Sequence, residues 1–210
     1  MEIIDISPVM DENFPVFPGD TPFNLKTELT ITDQCPVMLS SLKTTLHAGA
    51  HADAPCHYHK DGESIESRDL ARYIGACQVI EVKFESNRRI TVEDIKNTEI
   101  KSKRILFKTC SFDYSKKWDN DFSALSPELI RYLKHKGVCT VGIDTPSVDP
   151  ATSKTLDSHD TLYETDMAVL ENLELKHVKP GLYTLVAPPL KIKGGDASPV
   201  RAVLLPAQSI

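Results

Sequence analysis

The chain lacks the features that mark several large functional classes. Lys and Arg number 24 against 30 Asp and Glu, a formal net charge of −6. A polyanion therefore has no electrostatic footing, and nucleic acid is not expected as a partner. No apolar run approaches the roughly 20 residues of a membrane span, so no membrane role is expected. The opening Met1-Glu2-Ile3-Ile4-Asp5-Ile6-Ser7 has no basic stretch followed by an apolar one, so it does not read as a secretion signal. Five cysteines, an odd number, include no Cys-x-x-Cys pair, which argues against a disulfide framework or a zinc knuckle. They read as small buried thiols in a reducing cytoplasm. The nine glycines form no phosphate-binding loop, and Lys193-Gly194-Gly195-Asp196 reads as a tight turn. There is no internal repeat and no low-complexity segment, and residues 1–210 read as one domain.

What is present is ordinary globular composition, 40% hydrophobic and 26% charged, with many short β-like runs. They fall at 3–6, 37–46, 78–84, 105–108, 138–143, 182–186 and 200–205. Thr91-Val92-Glu93-Asp94 carries a helix N-cap and an acidic first turn. Ser126-Pro127-Glu128 opens a clearer helix, with Ser as cap, Pro in the first turn and Gly137 as the stop. A shorter helix is expected over 156–163. The 14 prolines cluster in loops such as Pro15-Val16-Phe17-Pro18-Gly19-Asp20. The expected class is α/β with a mostly β core.

One run concentrates metal-ligand chemistry: His47-Ala48-Gly49-Ala50-His51-Ala52-Asp53-Ala54-Pro55-Cys56-His57. In a strand, residues two apart share a face. The even positions Met38, Leu42, Leu46 and Ala48 are expected on the core, and the odd face carries His47, His51 and Asp53. A straight strand would hold the Cα atoms of His47 and His51 about 13 Å apart, too far for bonds of about 2.0–2.1 Å to one ion. A bend is required, and Gly49 is the residue best able to supply it. Pro55 turns the chain again and aims His57 separately. Imidazole and carboxylate suit Zn²⁺ and related ions. Asp53, with two oxygens, can also bridge two ions. His159 and Glu171 are downstream candidates for a second ion, although from the residues alone a carboxylate at a surface edge is the simpler reading of Glu171. His59, His135 and His177 read as surface or hydrogen-bonded histidines, and Asp144, Ser147 and Asp149 as residues fixing a turn.

This run resembles the signature His-x-Gly-Thr-His-x-Asp-x-Pro-x-His of the metal-dependent cyclase-like hydrolases. Within that family the chain is most similar to the bacterial kynurenine formamidases. The likeness extends over Phe17-Pro18-Gly19-Asp20-Thr21-Pro22, residues 141–150, Leu170-Glu171-Asn172-Leu173 and residues 196–203. It implies a swivelling β/β/α domain, a homodimer and two zinc ions per subunit, with manganese as an alternative occupant. By the same resemblance His47, His51 and Asp53 match ligands of one zinc, with Asp53 bridging. His159 matches a ligand of the second zinc and Glu171 a ligand of both. His57 matches the catalytic acid/base, and Phe17 the aromatic residue that contacts substrate. The implied reaction is hydrolysis of the small molecule N-formyl-L-kynurenine to L-kynurenine and formate, in tryptophan degradation. Alternatives are hydrolysis of a cyclic amide, imide or lactone, or a silent metal-binding protein. Three positions depart from the pattern: Ala50 stands for threonine, Phe17 for tryptophan, and Asp160 for a second histidine.

Overall fold

The computed structural model describes residues 2–86 and 88–207. The strands are β1 (Ile4–Asp5), β2 (Asn24–Leu29), β3 (Leu39–Lys43), β4 (His51–Asp53), β5 (Ile74–Glu81), β6 (Arg89–Ile90) and β7 (Arg104–Lys108). They continue with β8 (Ala124–Leu125), β9 (Thr140–Ile143), β10 (Ala168–Glu171), β11 (Gly181–Val186), β12 (Ala197–Pro199) and β13 (Val203–Pro206). The α-helices are α1 (Pro127–His135) and α2 (Asp157–Glu164). Nine strands form one sheet in the order β1-β13-β11-β5-β7-β9-β10-β4-β12. Its centre, β5-β7-β9-β10, is parallel, and both flanks are antiparallel. The α/β class with a mostly β core is therefore as expected.

Period-two alternation divides the interior into two cores. On one face lie Cys77 and Val79 of β5, Leu106 of β7, and Ala168 and Leu170 of β10. On the other lie Ile80 of β5, Ile105 and Phe107 of β7, Val141 and Ile143 of β9, and Val169 of β10. Leu129, Ile130 and Leu133 of α1 and Leu162 of α2 pack on this second face. The Ser126 side chain accepts from the Leu129 N–H, and Gly137 sits at φ 83° just past the helix end, as the start and stop signals required.

Several elements differ from the sequence reading. The stretch at 37–46 forms only β3, which pairs with β2 in a two-stranded ribbon apart from the main sheet. Met38 and Leu42 are exposed rather than buried, because no second layer covers the ribbon. Of the stretch at 200–205 only the end is strand, in β13, and β12 lies just before it. The helix expected from Thr91 is one 3₁₀ turn, Val92–Ile95, held by a capping box between Thr91 and Asp94. Leu156, expected inside the short helix, precedes α2 in the left-handed region at φ 51°.

A further 3₁₀ turn, Pro55–His57, follows β4, and the chain folds back on it through Gly62. A Cβ on Gly62 would stand 2.2 Å from the Pro55 carbonyl carbon and 2.4 Å from the Cys56 nitrogen. These are backbone atoms and cannot rotate away. Gly62→Ala is therefore expected to destabilise the fold by about 1–3 kcal/mol, the usual cost of overpacking. Denaturant unfolding measures it, and an unchanged midpoint would contradict the close approach.

Candidate metal centre

Strand register builds the centre. On β4, Ala52 enters the first core, and Ala50 and Ala54 beside the strand enter it too. His51 and Asp53, between them, project from the opposite face. His51 pairs with Glu171 of β10, and Asp53 with Val169. Glu171 thus projects beside His51, on the face covered by α2, and α2 brings His159. The expected bend occurs: β3 ends at Lys43, His47 lies in a turn, and Gly49 takes φ 68°. A Cβ on Gly49 would also meet the Met10 sulfur at 2.4 Å.

The donor atoms converge. His47 Nδ1 lies 3.0 Å and His51 Nε2 3.2 Å from Asp53 Oδ1. His159 Nε2 lies 3.4 Å from Asp53 Oδ2 and 3.5 Å from Glu171 Oε1. His51 Nε2 is 3.4 Å from Glu171 Oε2. Two adjoining triads result, His47–His51–Asp53 and Asp53–His159–Glu171, with Asp53 common to both. Two donors bound at about 2.1 Å to a tetrahedral ion stand about 3.4 Å apart, close to all five separations.

The partners of these groups also fit a cation. His51 Nδ1 donates to the Gly49 carbonyl at 2.9 Å, and His159 Nδ1 donates to Asp149 at 2.7 Å. Each leaves the Nε2 lone pair turned towards the carboxylates. Buried His51 Nε2, His159 Nε2 and both Asp53 oxygens have no hydrogen-bond partner. Four orphaned buried atoms facing one another would be costly, and divalent ions in the two triads would satisfy them.

Without an ion, protons must play that part. Burial disfavours charge on His51, but the close Asp53 and Glu171 carboxylates outweigh this and lift its pKa to about 10. Burial likewise opposes ionisation of Asp53, yet the neighbouring His47 and His159 hold its carboxyl well below the usual range. His159 is raised against its own burial by Asp149, Asp53 and Glu171.

Asp149, read from sequence as a turn residue, has a larger part. Leu156 cannot cap α2, and Asp149 caps it from a distance, accepting from the Ser158 and His159 N–H groups at 3.1 Å each. The same carboxylate orients the His159 ring. Arg89 donates to it at 2.8 Å. Asp196, also read as part of a turn, was missed as well. It accepts from His47 Nε2 at 3.1 Å and faces His57 Nδ1 at 3.6 Å. Only adjacency in space reveals either role.

His57 stands apart from the two triads, on the turn after Pro55. Its ring centroid is 4.1 Å from that of His47 and 6.1 Å from that of His159. Its side chain is 34% exposed, which leaves it open to a substrate. Phe17 makes no ring contact with these histidines; it packs edge-on against Trp118 at 5.2 Å. Its segment is nevertheless tied to the site on both sides. Met10 abuts Gly49, and the Thr45 N–H donates to the Thr21 carbonyl at 3.0 Å. Ala50 packs in the apolar core and Asp160 is exposed, so neither departure touches the donor atoms. His59 stacks on Tyr163 and His177 bonds to the Asp5 carbonyl, as the structural reading of both required.

The family model described as "Putative cyclase" matches residues 4–150. A kynurenine formamidase of Bordetella pertussis is 44% identical over 201 residues, covering 95% of this chain and 96% of its own. A solved structure described as a potential metal-dependent hydrolase with cyclase activity superposes with a TM-score of 0.83 at 31% identity, covering 99% and 98% of the two chains. Isatin hydrolase A of Labrenzia aggregata has the same fold, with a TM-score of 0.82 at 23% identity over 99% and 94%.

Two outcomes are expected of metal binding. Asp149→Asn removes the charge that orients His159 and should weaken metal affinity roughly 10–100-fold, measured by chelator competition. An unchanged affinity would remove Asp149 from the site. Metal must also displace the protons described above, so apparent affinity should fall on acidification and rise with pH towards about 10, where His51 loses its proton. The metal-free fold responds in the opposite sense. The raised His51 pKa stabilises it fully below the unfolded value near 6.5, and that contribution disappears as pH rises through about 10. Thermal unfolding of apo and loaded protein across this range measures both.

Proposed function

Because the chain belongs to the cyclase family of metal-dependent hydrolases, we propose that it is a kynurenine formamidase, hydrolysing N-formyl-L-kynurenine to L-kynurenine and formate. The observation that carries this reading is the pair of fused donor triads with His57 open to solvent beside them. Nearly full-length similarity to kynurenine formamidases supports the substrate. In this reading one domain spans residues 1–210, and His47, His51, Asp53, His159 and Glu171 hold two zinc ions. When bound, the ions supply Lewis acidity, polarising a carbonyl oxygen and lowering the pKa of water.

The chain's own residues account for the proton transfers. Burial pushes the His57 pKa down, against the pull of Asp53 and Glu171 and with the help of the neighbouring His47 and His159. The ring is therefore neutral near pH 7 and able to accept a proton. It takes one from the attacking water as the C–O bond forms at the formyl carbon. It returns that proton to the anilide nitrogen as the C–N bond breaks, so the amine leaves neutral. Phe17 packs the substrate ring, and Trp118 at its edge supports that wall.

We place the active protein as a homodimer in the cytoplasm. The β2–β3 ribbon supports self-association: Leu25 faces Leu42 across it, Leu29 faces Leu39, and all four are exposed. No helix among the described residues is long and apolar enough to cross a membrane. The cysteines at 35, 56, 77, 110 and 139 are all free thiols, which suits a reducing compartment.

Zinc-loaded protein should release kynurenine from N-formylkynurenine, followed chromatographically. Opening of isatin with no kynurenine released would overturn the substrate assignment. His57→Ala should keep its metal and lose turnover by about 10²–10⁴-fold. Loss of metal together with activity would make His57 a ligand instead.

A further inference from the structure

A third group of donors lies outside the two triads. His47 Nε2, His57 Nδ1 and Asp196 Oδ2 converge at the solvent-facing side of the centre. These are different atoms from those turned towards Asp53: His47 offers Nδ1 inward and Nε2 outward. Asp196 Oδ2 is 3.1 Å from His47 Nε2 and 3.6 Å from His57 Nδ1. The second separation is too long for a hydrogen bond. The two distances nonetheless bracket the spacing of about 3.4 Å between donors that share a tetrahedral ion. The two imidazole rings lie side by side, 4.1 Å apart and tilted by 39°. Asp196 is half exposed, so an ion can enter from solvent.

We propose that His57, Asp196 and His47 form a third, weaker site for a divalent cation such as Zn²⁺, and that its occupation switches the enzyme off. Weakness follows from composition. The triads present two buried carboxylates, Asp53 and Glu171, whereas this group presents one, half in water. His47 must also release its Nε2 proton to solvent before that nitrogen can bind. Inhibition follows from the identity of His57. With Nδ1 held by the cation, its remaining proton moves to Nε2, and the ring has no lone pair to accept one. The site then fills only when metal is in excess over the amount the two triads retain.

The binding claim stands on geometry alone; the inhibition rests on the formamidase reading above. The test is zinc uptake at rising free zinc by equilibrium dialysis of the wild type, Asp196→Asn and His57→Ala, with turnover of the wild type recorded in parallel. Anomalous scattering at the zinc edge locates each ion. The wild type should take up one more zinc per chain than either variant. Its turnover should fall roughly 100-fold as that zinc binds, the size of a lost general acid–base group. The added zinc should lie between His57 and Asp196. Equal uptake by all three proteins, or an added zinc elsewhere, overturns the proposal. Extra zinc at His57 and Asp196 with unchanged turnover overturns the switch. The same extra zinc in a protein with no formamidase activity at any loading supports the cation site and overturns the substrate assignment instead.

Discussion

Two carboxylates buried side by side govern this structure. Asp53 and Glu171 are each within 3.5 Å of the same imidazole nitrogens, in a region closed to water. Burying one unpaired charge is expensive, and burying two like charges together is more so. The sheet therefore exists around them only because other groups neutralise them, whether protons on His51 and His159 or divalent ions. The neighbourhood is built to that end. Val148 N–H donates to Glu171 at 2.7 Å, and Asp149 presents a third negative charge behind His159. A surplus of negative charge around imidazoles is a poor arrangement for stability by itself. It is a good one for gripping cations, and fold and chemistry are linked through it.

The backbone supports that grip with geometry rather than with many specific contacts. Antiparallel pairing sets His51 opposite Glu171, and alternation on β4 sends Asp53 to the same side. A one-residue slip would carry His51 and Asp53 into the apolar core and put the alanines beside Glu171. The alanines at 50, 52 and 54 guard against this by filling the first core with small side chains where that core is tight. The cap supplied by Asp149 then fixes the start of α2, and with it the depth of His159. Register sets one half of the centre, and a helix terminus sets the other.

How much of this could be read beforehand differs by element. The His51/Asp53 face and the bend at Gly49 follow from short-range rules, because alternation and glycine's freedom act over a few residues. The same alternation misleads at Met38 and Leu42. An apolar stripe says that something must cover it, but not that this chain does. β10 went unread because its four buried residues include no turn signal and no alternation. Asp149 and Asp196 looked like turn formers, and both do lie in loops. Their meetings with His159 and His47 depend on contacts across ten and 149 positions of sequence, which no local pattern encodes. The distant candidate ligands, His159 and Glu171, follow from family likeness and not from spacing.

The three departures from the family pattern can be weighed by where their side chains go. A threonine at position 50 would place its hydroxyl in the apolar core, on the face opposite His51 and Asp53, so alanine there costs the donor set nothing. Asp160 faces solvent on α2, one residue beyond the buried His159. Phe17 is different. It is 46% exposed and rests on the edge of Trp118, the only tryptophan in the chain. Losing an indole at position 17 removes an N–H donor but not an apolar wall, and the neighbouring Trp118 already directs its own N–H to Asn120 at 2.7 Å. Under the proposed function, the change at 17 would bear on how the substrate ring is held, through shape and apolar contact. It leaves untouched the donor atoms of the two triads, because Phe17 packs on Trp118 and not on any of them.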